Sequence, residues 1–116
     1  MVRRRQDKSS PVYMISVVSR ILEVHPQTLR MYEREGFVQP HRVNKQRLYS
    51  DDDIERLNLV IKLTKELGVN KAGVDIILRM RNRMQSMQEE MREMMRFLEE
   101  DIRHHFEEKL RRIFEE

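Results

Sequence analysis

The sequence predicts a mainly α-helical chain in which a small domain of short helices precedes one long amphipathic helix. Three observations support this fold class: apolar stripes at helical spacing before residue 80, a short hairpin pattern between them, and a sustained apolar seam after residue 80. The 116 residues are enough for one small domain plus an extended element that cannot bury itself alone. We therefore expect the long helix to need a partner chain.

The composition argues against several classes of function. The chain contains no cysteine, which rules out disulfides, thiolate catalysis and cysteine metal sites. No apolar run approaches the roughly 20 residues of a membrane span, and the residues after Met1 lack the apolar stretch of a signal peptide. The sequence has no glycine-rich phosphate loop and no motif of a nucleophilic hydrolase. We expect a cytoplasmic protein that is not an enzyme, needs no cofactor and makes no membrane contact.

Charge is distributed unevenly along the chain. Residues 1–50 contain ten lysines and arginines against four acidic residues, whereas residues 51–116 contain thirteen against sixteen. A basic first half followed by a mildly acidic second half is typical of a protein whose first half binds an anionic partner, most simply nucleic acid. A basic run such as residues 3–5 also occurs as a solvated tail, and this alternative stays open.

The first elements are a flexible basic arm and a short helix. Residues 1–11 combine charged residues, serines and a proline without periodic apolar positions, which predicts the arm. A folded domain is predicted over residues 12–80. Ser16 is the expected N-cap of its first helix, which ends near Glu23. The apolar stripe of this helix consists of Val18, Ile21 and Leu22.

A second helix is predicted from Pro26 to Glu35. Proline is favoured at the first helical position because the amide hydrogen that it lacks would be unpaired there. Leu29 supplies the inner face, and Gly36 lies where a left-handed C-terminal cap belongs. Two short helices with a tight turn between them form a helix-turn-helix.

The pattern then changes to a hairpin and two further helices. Residues 37–49 predict a small hairpin with the polar tip 44–46. Ser50, followed by three aspartates, predicts a capped helix that runs to Gly68, and Asn70 is the expected cap of a shorter helix after it. The predicted inner face of the two helices consists of Ile54, Leu57, Val60, Ile61, Leu67, Val74, Ile77 and Leu78.

A coiled-coil helix is predicted over residues 81–116. The spacings of four and three along its apolar seam are those of a and d positions, which indicates a homodimer that pairs through this helix. From residue 98 onward the spacings are mostly four, so the seam drifts around the helix. The predicted dimerisation residues are Met84, Met87, Met91, Met94, Leu98 and Ile102.

Three residues of the long helix are candidates either for a metal site or for a solvated surface. Glu100, His104 and Glu108 lie four residues apart, on one line of the helix. Carboxylate and imidazole groups bind divalent metals, but lines of charged residues on helices are usually exposed to solvent. We therefore predict no metal site.

Three segments closely resemble the MerR family of transcriptional regulators. They are residues 13–16 (YMIS), residues 24–33 (VHPQTLRMYE) and residues 47–50 (RLYS). The stretch HPQTLR at 25–30 and the later residues 68–74 (GVNKAGV) resemble the heat-shock repressor subgroup in particular. The resemblance covers about residues 13 to 80, and the long helix is similar in kind rather than in motif.

The resemblance implies a winged helix-turn-helix whose second helix is the recognition helix in the DNA major groove. Gln27 is expected to pair with adenine, Thr28 to contact a thymine methyl group or a phosphate, and Arg30 to bind guanine or phosphate oxygens. Tyr32 is either a phosphate contact or a core aromatic residue. The resemblance implies that the wing contacts phosphates through Arg42, Lys45, Arg47 and Tyr49. For Arg47 and Tyr49 the alternative is a solvated surface or a packing role.

The sequence departs from the family pattern at two positions. Glu23 stands where the turn between the first two helices usually has glycine, so we expect strain of about 1 kcal/mol if that turn is left-handed. Met31 stands where many relatives outside the subgroup have tyrosine. An aromatic hydroxyl contact at that position is therefore not expected in this chain.

The resemblance implies a dimeric repressor of heat-shock and chaperone genes that binds inverted-repeat operators in double-stranded DNA, in association with the nucleoid. In some relatives the chaperone Hsp70 is a co-repressor, which makes Hsp70 a candidate partner here. The family also suggests antiparallel pairing of the long helices. The alternative is a MerR-like adaptor that modulates a chaperone or co-chaperone without binding DNA. The basic first half favours DNA, because an adaptor needs no such charge.

Overall fold

The computed structural model describes residues 7–115 and confirms the predicted fold class. Short helices and strands precede one long C-terminal helix. The elements in chain order are β1 (Tyr13–Met14), α1 (Ile15–Leu22), α2 (Pro26–Arg34), β2 (His41–Val43), β3 (Gln46–Tyr49), α3 (Asp51–Ile61), a π-helical segment (Lys62–Glu66) and α4 (Lys71–Phe114).

The chain divides into two compact units between Leu78 and Arg79. The first unit has one hydrophobic core, to which α1, α2, α3, the strands and the first turns of α4 contribute. The second unit consists of α4 from Arg79 onward. The buried apolar residues of the core are Val18, Leu29, Tyr32, Phe37, Val38, Tyr49, Leu57, Val60, Leu63, Val74 and Leu78.

Helix α1 begins one residue earlier than Ser16, so the predicted serine cap is wrong. Met14 is the N-cap residue, in an extended conformation, and no side chain caps the helix. The cause is the pairing of β1 with β3, which holds Tyr13 and Met14 extended up to the helix start. At the other end Glu23 adopts the left-handed conformation, with φ 55° and ψ 43°. The left-handed turn expected from the family pattern is therefore present, without its usual glycine.

Helix α2 has the start and stop signals that the sequence predicts. Pro26 lies at its first position, and the backbone N–H of Gln27 donates to Nδ1 of His25 at 3.0 Å. The helix ends at Arg34, with Glu35 as C-cap, and Gly36 follows with φ 81°. This positive φ explains the glycine, because other residues adopt it only at a cost in free energy.

The wing is a hairpin of β2 and β3, and β1 pairs with the other edge of β3 to complete an antiparallel sheet. Asn44 and Lys45 form the two-residue tip, and both have positive φ values, 50° and 67°. Two successive left-handed residues are typical of a type I′ turn, whose twist matches that of the strands. Strand β1 is not predicted from the sequence because two residues are too few to show an alternating pattern.

Helix α3 begins with the predicted cap and ends differently from the prediction. Asp53 N–H donates to Ser50 Oγ at 3.1 Å, and Ser50 N–H donates to the Asp53 carboxylate at 3.0 Å, which completes a capping box. The π-helical segment then widens the last turns and shifts the register of the residues after it. As a result Leu63 is buried and Leu67 is 70% exposed, so the predicted inner position of Leu67 is wrong.

Helix α4 begins with the predicted cap, but it is one helix and not two. The Oδ1 atom of Asn70 accepts from Gly73 N–H at 2.9 Å. Val74 and Leu78 are buried as expected, and Ile77 packs against the core. The helix then continues to Phe114, so the predicted separate short helix is wrong. The sequence offers no glycine or proline after Gly73 to interrupt it.

The described part of the predicted arm is held against the first unit. The carbonyl of Lys8 accepts from Asp52 N–H at 3.1 Å, and Val12 N–H donates to the Tyr49 carbonyl at 3.0 Å. The Lys8 ammonium also lies 3.3 Å from Glu55. For residues 7–11 the prediction of a flexible arm is therefore corrected. The basic run 3–5 lies outside the described residues.

Candidate nucleic-acid interface

Helix α2 has one buried and one solvent-facing side. Leu29 and Tyr32 pack into the core, which fixes the rotation of the helix. The opposite side presents Gln27 as an exposed residue, and Thr28 and Arg30 as partly exposed ones. The three residues that the sequence assigns to base recognition are thus accessible in the first part of one short helix.

Arg30 has its charge available for an external ligand. Among residues 7–115 no carboxylate lies within ion-pair distance of its guanidinium. Arginine carries five N–H donors in a planar fork, which matches the acceptor pair of guanine or the oxygens of a phosphate. This fork makes Arg30 a candidate contact for a base or a phosphate on the exposed side of α2.

Tyr32 occupies the core, which decides between its two interpretations in favour of packing. Its ring lies 6.0 Å from the Phe37 ring, centroid to centroid. Its hydroxyl lies 3.2 Å from Thr64 Oγ1, which itself donates to the Val60 carbonyl at 2.8 Å. The phosphate contact proposed for Tyr32 is therefore corrected, because its hydroxyl is already paired inside the unit.

The wing presents its cations in two different environments. Lys45 is exposed at the hairpin tip. Arg42 and Arg47 both pair with Glu33 of α2: the Arg47 Nε–H donates to Oε2 at 2.6 Å, and the Arg42 Nη2 lies 3.4 Å from Oε1. Sequence reasoning assigned no role to Glu33. The sequence places Glu33 nine residues before Arg42, and nothing in that spacing signals the contact.

Tyr49 is fully buried, which corrects its prediction as a DNA contact. Its ring belongs to the core at the end of β3. Among the residues that the structure describes, no hydrogen-bond partner reaches its hydroxyl. Burial raises the pKa of the Tyr49 phenol above its ordinary value, so the group stays neutral. A side chain in this position contributes to packing and cannot touch a phosphate at the surface.

Replacing Tyr49 with phenylalanine tests this correction. The Y49F change removes a buried hydroxyl that has no partner, so we expect the free energy of unfolding to stay the same or rise by up to about 1 kcal/mol. Affinity for duplex DNA should not change. Urea denaturation and a DNA titration of the same preparations measure both quantities. A large loss of DNA affinity at unchanged stability would restore Tyr49 as a contact.

The second unit exposes an apolar stripe along α4. Each predicted dimerisation residue, Met84, Met87, Met91, Met94, Leu98 and Ile102, is more than half exposed in the single chain. Further large apolar side chains outside the predicted set, Met95, Phe97 and Phe114, are also exposed. Large exposed apolar patches mark interaction sites, and spacings of four and three along a helix are typical of pairing with another helix.

Comparison with known proteins identifies the family. The model of the MerR HTH family regulatory proteins matches residues 13–81. The chain belongs to the MerR family. The resemblance seen in the three sequence segments is thus confirmed, and the helices and wing described above are those of the MerR domain.

Two curated relatives match a large part of the chain. A protein of Streptomyces coelicolor that bears the name heat shock protein HspR is 42% identical over 82 residues, which are 70% of this chain and 54% of the relative. The HTH-type transcriptional regulator GlnR of Bacillus anthracis is 32% identical over 75 residues, 64% of this chain and 57% of the relative. The chain spans about half the length of the curated relatives it matches.

A solved structure of a MerR family regulator has the same fold. It is HiNmlR, described as lacking the sensor domain and bound to promoter DNA. The alignment has a TM-score of 0.52 and 18% sequence identity, and it covers 75% of this chain and 78% of that one. At this identity the likeness extends to the fold alone.

Within residues 7–115 no helix of this MerR chain is both long enough and apolar enough to cross a bilayer.

Proposed function

We propose that the chain is a sequence-specific DNA-binding transcriptional repressor that acts as a homodimer. The observation that supports this best is the exposed side of α2, where Gln27, Thr28 and the unpaired fork of Arg30 lie together. A helix of this kind fits the major groove, where such side chains distinguish base pairs. The basic first half of the chain supplies the charge that a phosphate backbone attracts.

The proposed contacts differ in kind. Gln27 recognises adenine, Arg30 recognises guanine, and Thr28 contacts a thymine methyl group or a phosphate. Arg42 and Lys45 of the wing contact phosphates, which fixes the position of the protein on the duplex without reading its sequence.

The proposed dimer forms through the exposed stripe of α4. Pairing two stripes buries methionines that a single chain leaves in water, which stabilises the dimer. A two-fold dimer presents two copies of α2, so the operator is expected to be an inverted repeat with half-sites about one helical turn, or a multiple of it, apart.

The proposed target genes are those of the heat-shock and chaperone response. The support is the HspR name of the 42% identical relative, together with the subgroup stretches at 25–30 and 68–74. Hsp70 is the proposed co-repressor. Titrating operator DNA with the chain, with and without purified Hsp70, measures this coupling. Equal affinities in the two titrations would remove Hsp70 from the proposal.

DNA binding is tested by selecting duplexes from a random-sequence library with the full chain and titrating the enriched duplex at several salt concentrations. We expect an inverted repeat to be enriched, bound about a thousandfold more tightly than unselected duplex, with affinity that falls steeply with salt. A scrambled duplex of the same composition is the control. Equal binding of both duplexes would contradict sequence specificity. No binding at low salt would favour the adaptor function.

A further inference from the structure

We propose that Glu33 is a positioning residue for DNA binding, which connects the recognition helix to the wing through Arg47 and Arg42. The three residues are called the Glu33 cluster. The role of the cluster in DNA binding rests on the proposed function. The contacts among its three residues do not depend on that function. In this arrangement Arg47 holds the wing in place, and Arg42 and Lys45 are the wing cations that reach phosphate.

The cluster joins elements that are separate in the sequence. Glu33 lies in the last turn of α2, Arg42 lies on β2, and Arg47 lies on β3. One carboxylate oxygen accepts from Arg47 Nε–H at 2.6 Å, and the other lies 3.4 Å from Arg42 Nη2. Both strands of the wing are therefore attached to the same side chain of the recognition helix.

The hairpin register explains why an anion is needed at this place. Arg42 and Arg47 are direct cross-strand partners, so their side chains emerge next to each other on one face of the wing. Like charges directly opposite each other destabilise a strand pair. The Glu33 carboxylate lies against both guanidinium groups and offsets that repulsion.

Arg47 is bound to Glu33 more tightly than Arg42 is. The side chains of Glu33 and Arg47 are 21% and 27% exposed, and a charge-assisted hydrogen bond in this partly buried position is stronger than one in water. The Arg42 side chain is 53% exposed, and its contact with Glu33 is longer. Arg42 can therefore turn its remaining N–H donors to a phosphate while Arg47 stays on Glu33.

Neutralising Glu33 changes DNA affinity in opposite directions under this proposal and under simple electrostatic repulsion. A carboxylate near DNA repels phosphates, so its neutralisation alone should tighten binding. If Glu33 positions the wing, its neutralisation separates α2 from the hairpin, and binding weakens. The sign of the change in affinity thus decides between the two.

The test compares Glu33→Gln with Glu35→Gln in the full chain. Glu35 is the C-cap residue of the same helix, and its side chain has no role in the cluster. With the duplex enriched from the random library by the wild-type chain as probe, we expect E33Q to weaken binding about tenfold, within the usual range for coupled residues. E35Q should bind equally well or slightly more tightly. The charge swap E33R/R47E places the carboxylate opposite Arg42 and should restore most of the affinity.

Tighter binding by E33Q, or equal effects of E33Q and E35Q, would overturn the proposal. A measurement without DNA separates it from the proposed function. In a ¹⁵N-labelled full chain the Arg47 Nε–H signal should be protected from exchange in the wild type and in E35Q, and lost in E33Q. An unprotected wild-type signal would disprove the cluster itself. Protected signals in a chain that binds no duplex would instead contradict the DNA-binding function, and with it the role of Glu33 in binding.

If E33Q does not fold, Glu33→Asp replaces it. Aspartate keeps the charge but is one methylene shorter, so it loses the 2.6 Å contact while it still offsets the two arginines. We expect intermediate affinity for E33D. Wild-type affinity in this variant would overturn the positioning role, because only charge would then matter.

Discussion

Replacing Arg30 with alanine is expected to reduce the preference for the selected duplex sharply and to leave weaker, salt-sensitive binding. The Arg30 guanidinium, on the exposed side of α2, has no carboxylate partner among the described residues. A bidentate arginine–guanine contact contributes about 1–3 kcal/mol of discrimination, so affinity for the selected duplex should fall roughly 10- to 100-fold. Phosphate contacts by the wing remain, and they bind any sequence.

The matched control is Arg30→Lys. Lysine keeps the positive charge but lacks the planar fork, so it should retain the salt dependence of the wild type and still lose most of the discrimination. Titrations of both variants against the selected and the scrambled duplex give the ratio of affinities directly. A selectivity ratio unchanged in R30A would exclude Arg30 from base recognition.

Replacing Met91 with lysine is expected to convert the proposed dimer into monomers at concentrations where the wild type is paired. Met91 lies in the middle of the exposed stripe of α4, so pairing would place the ammonium of each chain in an apolar contact. An unpaired charge in such a contact costs several kcal/mol, which weakens dimerisation by at least about 100-fold. Sedimentation equilibrium measures the association, and a titration with the selected duplex should show a parallel loss of affinity.

The control for this variant is Gln85→Lys, which adds the same charge to the same helix off the predicted seam. Q85K should dimerise like the wild type. Circular dichroism of the helical signal checks that both chains fold. If M91K remained dimeric, the stripe would not be the dimer contact, and if the wild type were monomeric, the dimeric repressor would be disproved.

The local signals in the sequence predicted most of the fold. Ser50 formed the expected cap of α3, Pro26 began α2, and the glycine at 36 took the left-handed conformation. Such features depend on residues a few positions apart, and their physical chemistry is contained in the segment itself. The hairpin was predicted for the same reason, from the polar tip between apolar positions.

Features that depend on contacts between distant segments were not predicted. Strand β1 exists because β3 pairs with it, and the burial of Leu63 in place of Leu67 follows from the π-helical segment. The choice between a DNA contact and packing for Tyr49 stayed open for a similar reason, since its position on β3 does not by itself show which face of the strand is covered. No spacing rule connects Glu33 with the hairpin arginines, so the Glu33 cluster required the three-dimensional structure.

The chemistry of the exposed stripe on α4 has a further consequence. Four of the six predicted seam positions carry thioethers, at Met84, Met87, Met91 and Met94. Peroxide converts methionine into a polar sulfoxide, which weakens any apolar contact that the side chain makes. A covered stripe keeps the oxidant away, whereas a free chain reacts quickly. The rate of sulfoxide formation at these four positions, followed by mass spectrometry, would therefore report how much of the protein is assembled at any moment.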